Sequence, residues 1–156
     1  MKLSQLLRED LVVQSLDATD KWSAIRRLAQ CAADAGALPA VALAAVQDAL
    51  LARERSMTTG MESGIAIPHA AVDGLEDVVA VLGIAKSGIP FESLDGQAAR
   101  IVVCLVIPRN KKLLHIRTLA EIARLLSRRD VRDAMLAARD AAELLAVVRD
   151  KERESV

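Results

Sequence analysis

Apolar positions in this chain recur at two different spacings, and the changes between them mark out its elements. From Trp22 the spacing is helical: Trp22, Ile25, Leu28, Ala29 and Ala32 share a face, and Gly36 is placed to close the segment. The polar stretch from Asp17 to Asp20 offers N-caps for that helix. A second helix is predicted after Pro39, with Val41, Ala44, Ala45, Ala49 and Ala52 on one face. Leu11-Val12-Val13 is short and apolar and reads as an edge strand. Ser56 to Gly64 is rich in Ser, Thr, Gly and Met and reads as a loop. Gly64 to Ile67 reads as a short strand stopped by Pro68, which has no N–H to give to a ladder. Val78 to Ala85 and Ile101 to Ile107 are continuous apolar runs rich in Val and Ile, the pattern of central strands covered on both faces. Gly88, Pro90, Asp95 and Gly96 make the link between them turn-rich. Beyond Pro108 the pattern is helical, over about Leu113 to Ser127, Val131 to Ala138 and Ala141 to Arg149. Strands in the middle with helices before and after predict one α/β domain over residues 1–150, its sheet sandwiched by helices. Residues 151–156 read as a charged tail that frays.

Composition narrows this picture. Of the 156 residues 53% are hydrophobic, enough for one core, yet Trp22 and Phe91 are the only aromatics. The core must therefore be built from Leu, Ala, Val and Ile. Lys and Arg total 21 and so do Asp and Glu, which gives no electrostatic ground for nucleic-acid binding. The scarcity of aromatics also removes the stacking platforms that single strands need. Arg124, Arg128, Arg129 and Arg132 cluster, but Asp130 and Asp133 are interleaved, so a solvated helix face is expected. The longest uncharged apolar stretch, Ala35 to Gln47, is too short for a bilayer and is broken by Pro39. The first residues, Met1 to Gln5, lack the apolar core of a signal peptide, so a cytoplasmic protein without membrane insertion is expected. Cys31 and Cys104 lie in apolar periodic segments and read as reduced, buried thiols.

The candidate chemistry centres on the chain's two histidines. Imidazole is well suited to moving protons or phosphoryl groups at neutral pH. Pro68 biases Ile67 towards an extended shape and leaves His69 as the first residue past a strand end, where ligands of α/β sheets bind. His115, Leu119, Ile122 and Leu126 step by four, three and four along one apolar helical face, which turns His115 towards the sheet at a helix N-terminus. A helix start favours an anion nearby. Arg53 precedes the polar loop and is placed to fork onto a phosphate at His69. Each residue alone fits a structural role as well: a loop histidine, a core histidine satisfied by a carbonyl, a solvated helix end. No close-spaced ligand pair exists, so no metal is expected. Glycine-rich phosphate loops and the Gly-x-Ser-x-Gly elbow are absent.

Taken together these pieces resemble a known family. Arg53-Glu54-Arg55, Thr59-Gly60 and Ser63-Gly64-Ile65-Ala66-Ile67-Pro68-His69 resemble the active-site stretch of enzyme IIA domains of the fructose, mannitol and nitrogen-regulatory branch of the bacterial phosphotransferase system. Phe91 to Gln97 is similar to that family's segment before a core strand, and Val106-Ile107-Pro108 with His115 to Leu119 is similar to the strand end and helix that carry its second histidine. The resemblance runs from about Leu3 to Arg149. It implies a mixed sheet flanked by helices on both faces. It also implies that His69 is phosphorylated by an HPr-like phosphocarrier in a relay fed by phosphoenolpyruvate, that His115 and Arg53 support the phosphoryl group, and that no cofactor is needed. Leu3 to Leu7 also resembles the start of the nitrogen-regulatory type, and this sequence carries no membrane segment and no sugar-specific domain. A regulatory protein acting on partners by its phosphorylation state is therefore expected. The alternatives are a fructose- or mannitol-specific component that hands its phosphoryl group to a IIB domain, and a non-catalytic binding module of the same fold. One departure stands out: Glu62 occupies a position before His69 where the family usually has glycine.

Overall fold

The computed structural model describes residues 2–154. Its centre is a mixed five-stranded sheet. Strands β4 (Val79–Ile89) and β5 (Ala99–Pro108) form an antiparallel pair at the middle, with Val79 opposite Val106 and Ile84 opposite Ile101. Both are apolar on nearly every residue because both of their faces are covered. Strand β1 (Val12–Val13) lies parallel to β4 at one edge. The other edge consists of two short strands, β2 (Ile65–Ala66) and β3 (His69–Val72), both parallel to β5. Ile67 and Pro68 fall in the gap between those two paired stretches.

Helices cover both faces of this sheet. Helix α2 (Lys21–Asp34) begins where the Asp20 carboxylate accepts from the Ser23 amide at 2.8 Å, and ends before Gly36, whose φ of +74° suits the turn. It packs on β4 and on α3 (Leu43–Ser56), which in turn lies against β3. Helices α1 (Leu3–Leu6), α4 (Lys112–Leu126), α5 (Arg129–Ala137) and α6 (Ala141–Arg153) form the second group. Close packing fixes the α2 side: a Cβ at Gly83 would sit 2.8 Å from Leu16 and 3.0 Å from Leu28.

The fold expected from periodicity is the fold observed, with local corrections. The Val41 face of α3 is the wrong one: Val41 is 95% exposed, and Val46, Leu50, Leu51 and Glu54 face the core instead. Alanines at helical spacing give little contrast, and the larger Leu and Val side chains win the burial. β4 continues past Ala85 to Ile89, with a bulge, into what reads as the turn-rich link. The tail does not fray at Lys151. The last helix runs to Arg153 because the carboxylate of Glu152 is buried and accepts from the amide and hydroxyl of Ser4. Ser155 and Val156 lie outside the described residues. Within the arginine cluster Arg128 pairs with Asp130 and Glu154, Arg129 pairs with Asp133, and Arg132 donates to the Leu126 and Ser127 carbonyls. Arg128 and Lys151 hold the carboxyl of Asp130 down at about 2. Both cysteines are buried free thiols, and burial pushes Cys104 up to about 12, which leaves it inert as a nucleophile.

Candidate functional site

Three of the residues singled out by the sequence meet at the β2/β3 edge of the sheet. His69 does not lie past a strand end, as Pro68 suggested. It opens β3, with its Cα opposite Leu105, because the chain resumes pairing after a two-residue interruption. Pro68 still contributes, since its carbonyl accepts from the Leu105 amide at 2.9 Å. His115 lies in the first turn of α4, where its own amide is the first to bond back into the helix, at 3.0 Å from the Lys111 carbonyl. The amides before it in that turn have no side-chain cap. Ile122 and Leu126 on the same face are buried as expected, whereas His115 and Leu119 are half-buried. His115 meets an imidazole rather than the core: its ring approaches that of His69 edge-on, with centroids 5.4 Å apart and planes at 72°.

The tautomer of His69 follows from its neighbour. Its Nδ1 lies 2.8 Å from the carbonyl oxygen of Ile67, which can only accept, so Nδ1 carries the proton. In the neutral ring Nε2 is then the nitrogen with the free lone pair. Burial lowers the His69 pKa, against the Ile67 hydrogen bond that raises it, and the charges of Arg53 and His115 lower it further. His115 is lowered as well, by burial and then by Arg53. Arg53, at the end of α3, is held by a 3.0 Å bond from Nη1 to the Met57 carbonyl, and its charge reaches both imidazoles. The site thus pairs two neutral imidazoles with a cation, an arrangement that favours a nucleophilic nitrogen and an arriving anion.

The loop from Met57 to Gly64 leads from α3 to β2, and sequence reasoning missed what anchors it. Glu54 is 2% exposed. Its carboxylate accepts from the Thr59 amide at 2.9 Å and hydroxyl at 2.5 Å and from Lys21 Nζ at 3.2 Å. Lys21, 5% exposed, also reaches Glu92 at 3.3 Å. The signal was present: an acidic residue one place from Arg53, and a lysine at the first position of a helix. Neither looks buried, because charged residues seldom are. The loop then packs on the Phe91 segment. Thr58 donates its hydroxyl to the Phe91 carbonyl, Ser63 donates its amide to Asp95 at 2.9 Å, and a Cβ at Gly60 would stand 2.7 Å from the Phe91 carbonyl oxygen. The two sequence stretches that carry the resemblance therefore touch. Glu62 is exposed and makes no ion pair among the described residues. No His, Cys, Asp and Glu group among the described residues could hold a metal, and no helix is long and apolar enough to cross a membrane.

Comparisons with known proteins place the family and the fold. The family model described as the phosphoenolpyruvate-dependent sugar phosphotransferase system, EIIA 2, matches residues 5–151. A nitrogen regulatory protein of Bradyrhizobium diazoefficiens is 33% identical over 148 residues, covering 95% of each chain. The fructose-specific EIIABC component of Bacillus subtilis is 28% identical over 153 residues, which is 98% of this chain and 24% of that one. The crystal structure of the nitrogen regulatory protein IIA-Ntr of Neisseria meningitidis superposes with a TM-score of 0.84 at 22% identity, covering 94% of this chain and 98% of that one.

Proposed function

Since this chain belongs to the EIIA 2 family of the phosphoenolpyruvate-dependent phosphotransferase system, we propose that it accepts a phosphoryl group on Nε2 of His69 and signals by whether that group is present. The observation that carries this reading is the 2.8 Å bond from His69 Nδ1 to the Ile67 carbonyl beside the edge-on ring of His115. Nε2 attacks phosphorus as the nitrogen–phosphorus bond of an HPr-like phosphocarrier breaks, and the donor imidazole leaves with that bond's electron pair. His69 keeps its Nδ1 proton, and the positive charge developing on the ring is stabilised by the Ile67 carbonyl. Phosphoryl transfer depends mainly on positioning and on charge stabilisation at the equatorial oxygens. His115, Arg53 and the uncapped amides at the start of α4 supply donors and positive potential for those oxygens. Burial does most to keep His69 neutral before attack, and the positive charge of Arg53, which acts in the same direction, also favours the phosphoryl dianion afterwards.

The nitrogen-regulatory branch is supported by a nitrogen regulatory relative that matches this chain over nearly the whole of both lengths. A sugar-specific IIA handing its phosphoryl group to a IIB domain is the second reading, supported by the likeness to the fructose-specific component. Incubation with phosphoenolpyruvate, enzyme I and an HPr-like carrier tests the shared chemistry. Intact-mass analysis is expected to show one phosphoryl group on the wild type and none on His69→Ala. Transfer onward to a IIB domain then separates the branches. A His69→Ala variant with full cellular activity would instead point to a binding module.

A further inference from the structure

We propose that Lys21 and Glu54 are positioning residues for His69, acting through Thr59 and the Ile67 peptide to set which imidazole nitrogen is left free. The connection is continuous. Lys21 Nζ donates to Glu54 Oε2 at 3.2 Å, and the same oxygen accepts from the Thr59 amide at 2.9 Å. Thr59 returns its carbonyl to the Ile67 amide at 3.2 Å, and the Ile67 carbonyl accepts from His69 Nδ1 at 2.8 Å. The chain of bonds joins α2, α3, the Met57–Gly64 loop and the sheet edge.

The position of Ile67 makes this connection consequential. It falls between the stretches where β2 and β3 pair with β5, and the next residue is a proline without an N–H. The Thr59 carbonyl, not the β5 ladder, takes the Ile67 amide and so holds the Ala66–Ile67 peptide, the unit on the N-terminal side of the Ile67 Cα. The Ile67 carbonyl lies in the next peptide unit, hinged to the first at the Ile67 Cα, so a shift of Ile67 moves the acceptor that selects the His69 tautomer. Stability gives little reason for the buried Lys21–Glu54 pair, because desolvating two charges offsets most of their attraction. Nor does Glu54 act on His69 chiefly by its charge, which influences the ring less than burial, Ile67, Arg53 or His115 does. Its bonds all go to Thr59 and Lys21, so its role is geometric.

The proposal rests on His69 as the acceptor, yet the tautomer can be read without any donor. Long-range 1H–15N NMR of the imidazoles in the wild type is expected to show His69 protonated at Nδ1. In the double variant Lys21→Met, Glu54→Leu, which removes both buried charges together, His69 is expected to become a mixture of tautomers while His115 is unchanged. Its kcat for phosphoryl uptake is expected to fall about tenfold, with KM for the carrier unchanged. Glu54→Gln, which keeps the shape, is expected to shift the tautomer in the same direction by less, and it decides alone should the double variant not fold. A folded variant that keeps Nδ1 protonation and wild-type kcat overturns the proposal, as does a wild type protonated at Nε2. A tautomer shift in a protein that takes up no phosphoryl group leaves the proposal standing and removes the acceptor role.

Discussion

The ring of His115 meets that of His69 edge-on at 5.4 Å between centroids, so one imidazole presents its rim to the other and neither is shut off from solvent. Substituting His115 is expected to slow phosphoryl uptake by His69 about a hundredfold to a thousandfold, the scale of losing one donor in such a site. Half-exposure of His115 means that His115→Ala keeps its fold, as judged by circular dichroism and a urea melt. Loss of folding would give His115 a structural role instead.

Arg53 lowers the pKa of both imidazoles. Arg53→Gln is therefore expected to move both upward towards the ordinary histidine value, measurable by NMR titration, and to slow uptake of the phosphoryl dianion. Titrations that superpose on the wild type would remove Arg53 from the site.

The pH dependence has a definite sign. The folded His69 pKa lies below the ordinary value of about 6.5 because burial, Arg53 and His115 disfavour the cation. Between that ordinary value and the lower folded one, the unfolded chain binds more protons, so stability falls as pH drops through this window. Uptake of the phosphoryl group needs neutral Nε2, so its rate is expected to hold at neutral pH and to fall with a midpoint below about 6.5. A midpoint above that value contradicts the electrostatics of the site.

Leu113 and Ile116 are 71% and 65% exposed on the α4 turn that carries His115, beside the exposed cations Lys112 and Arg117. An apolar pair at this place favours protein docking over a small substrate. Leu113→Ser with Ile116→Ser is expected to raise KM for the carrier about tenfold and leave kcat unchanged in a steady-state phosphotransfer assay.

Gly60 permits the close approach of the site loop to Phe91, and Gly60→Ala is expected to cost about 1–3 kcal/mol in a urea melt through overpacking against the Phe91 carbonyl. An unchanged melt would mean the loop yields freely.

Much of this was legible in the sequence, for identifiable reasons. β4 and β5 are read from unbroken Val and Ile runs because burial on both faces leaves no polar alternation to hide them. The start of α2 is read from Asp20 because caps are local. The burial of α3 was misread because an alanine-rich helix has several weakly apolar faces and only tertiary contacts choose between them. His69, His115 and Arg53 are each residue types in useful places, but their meeting depends on the start of β3, the first turn of α4 and the end of α3 converging, which no spacing states. The Lys21–Glu54–Thr59 anchor was invisible because its members come from α2, α3 and a loop, and charged residues read as surface.

The most direct test of the account is the identity of the modified atom. The wild type is charged with phosphoenolpyruvate, enzyme I and an HPr-like carrier, and the phosphoryl group is located by tandem mass spectrometry and 15N-resolved NMR. The account predicts one group, on Nε2 of His69, absent from His69→Ala. A group on Nδ1, on His115 or on another residue, or one retained by His69→Ala, would contradict it.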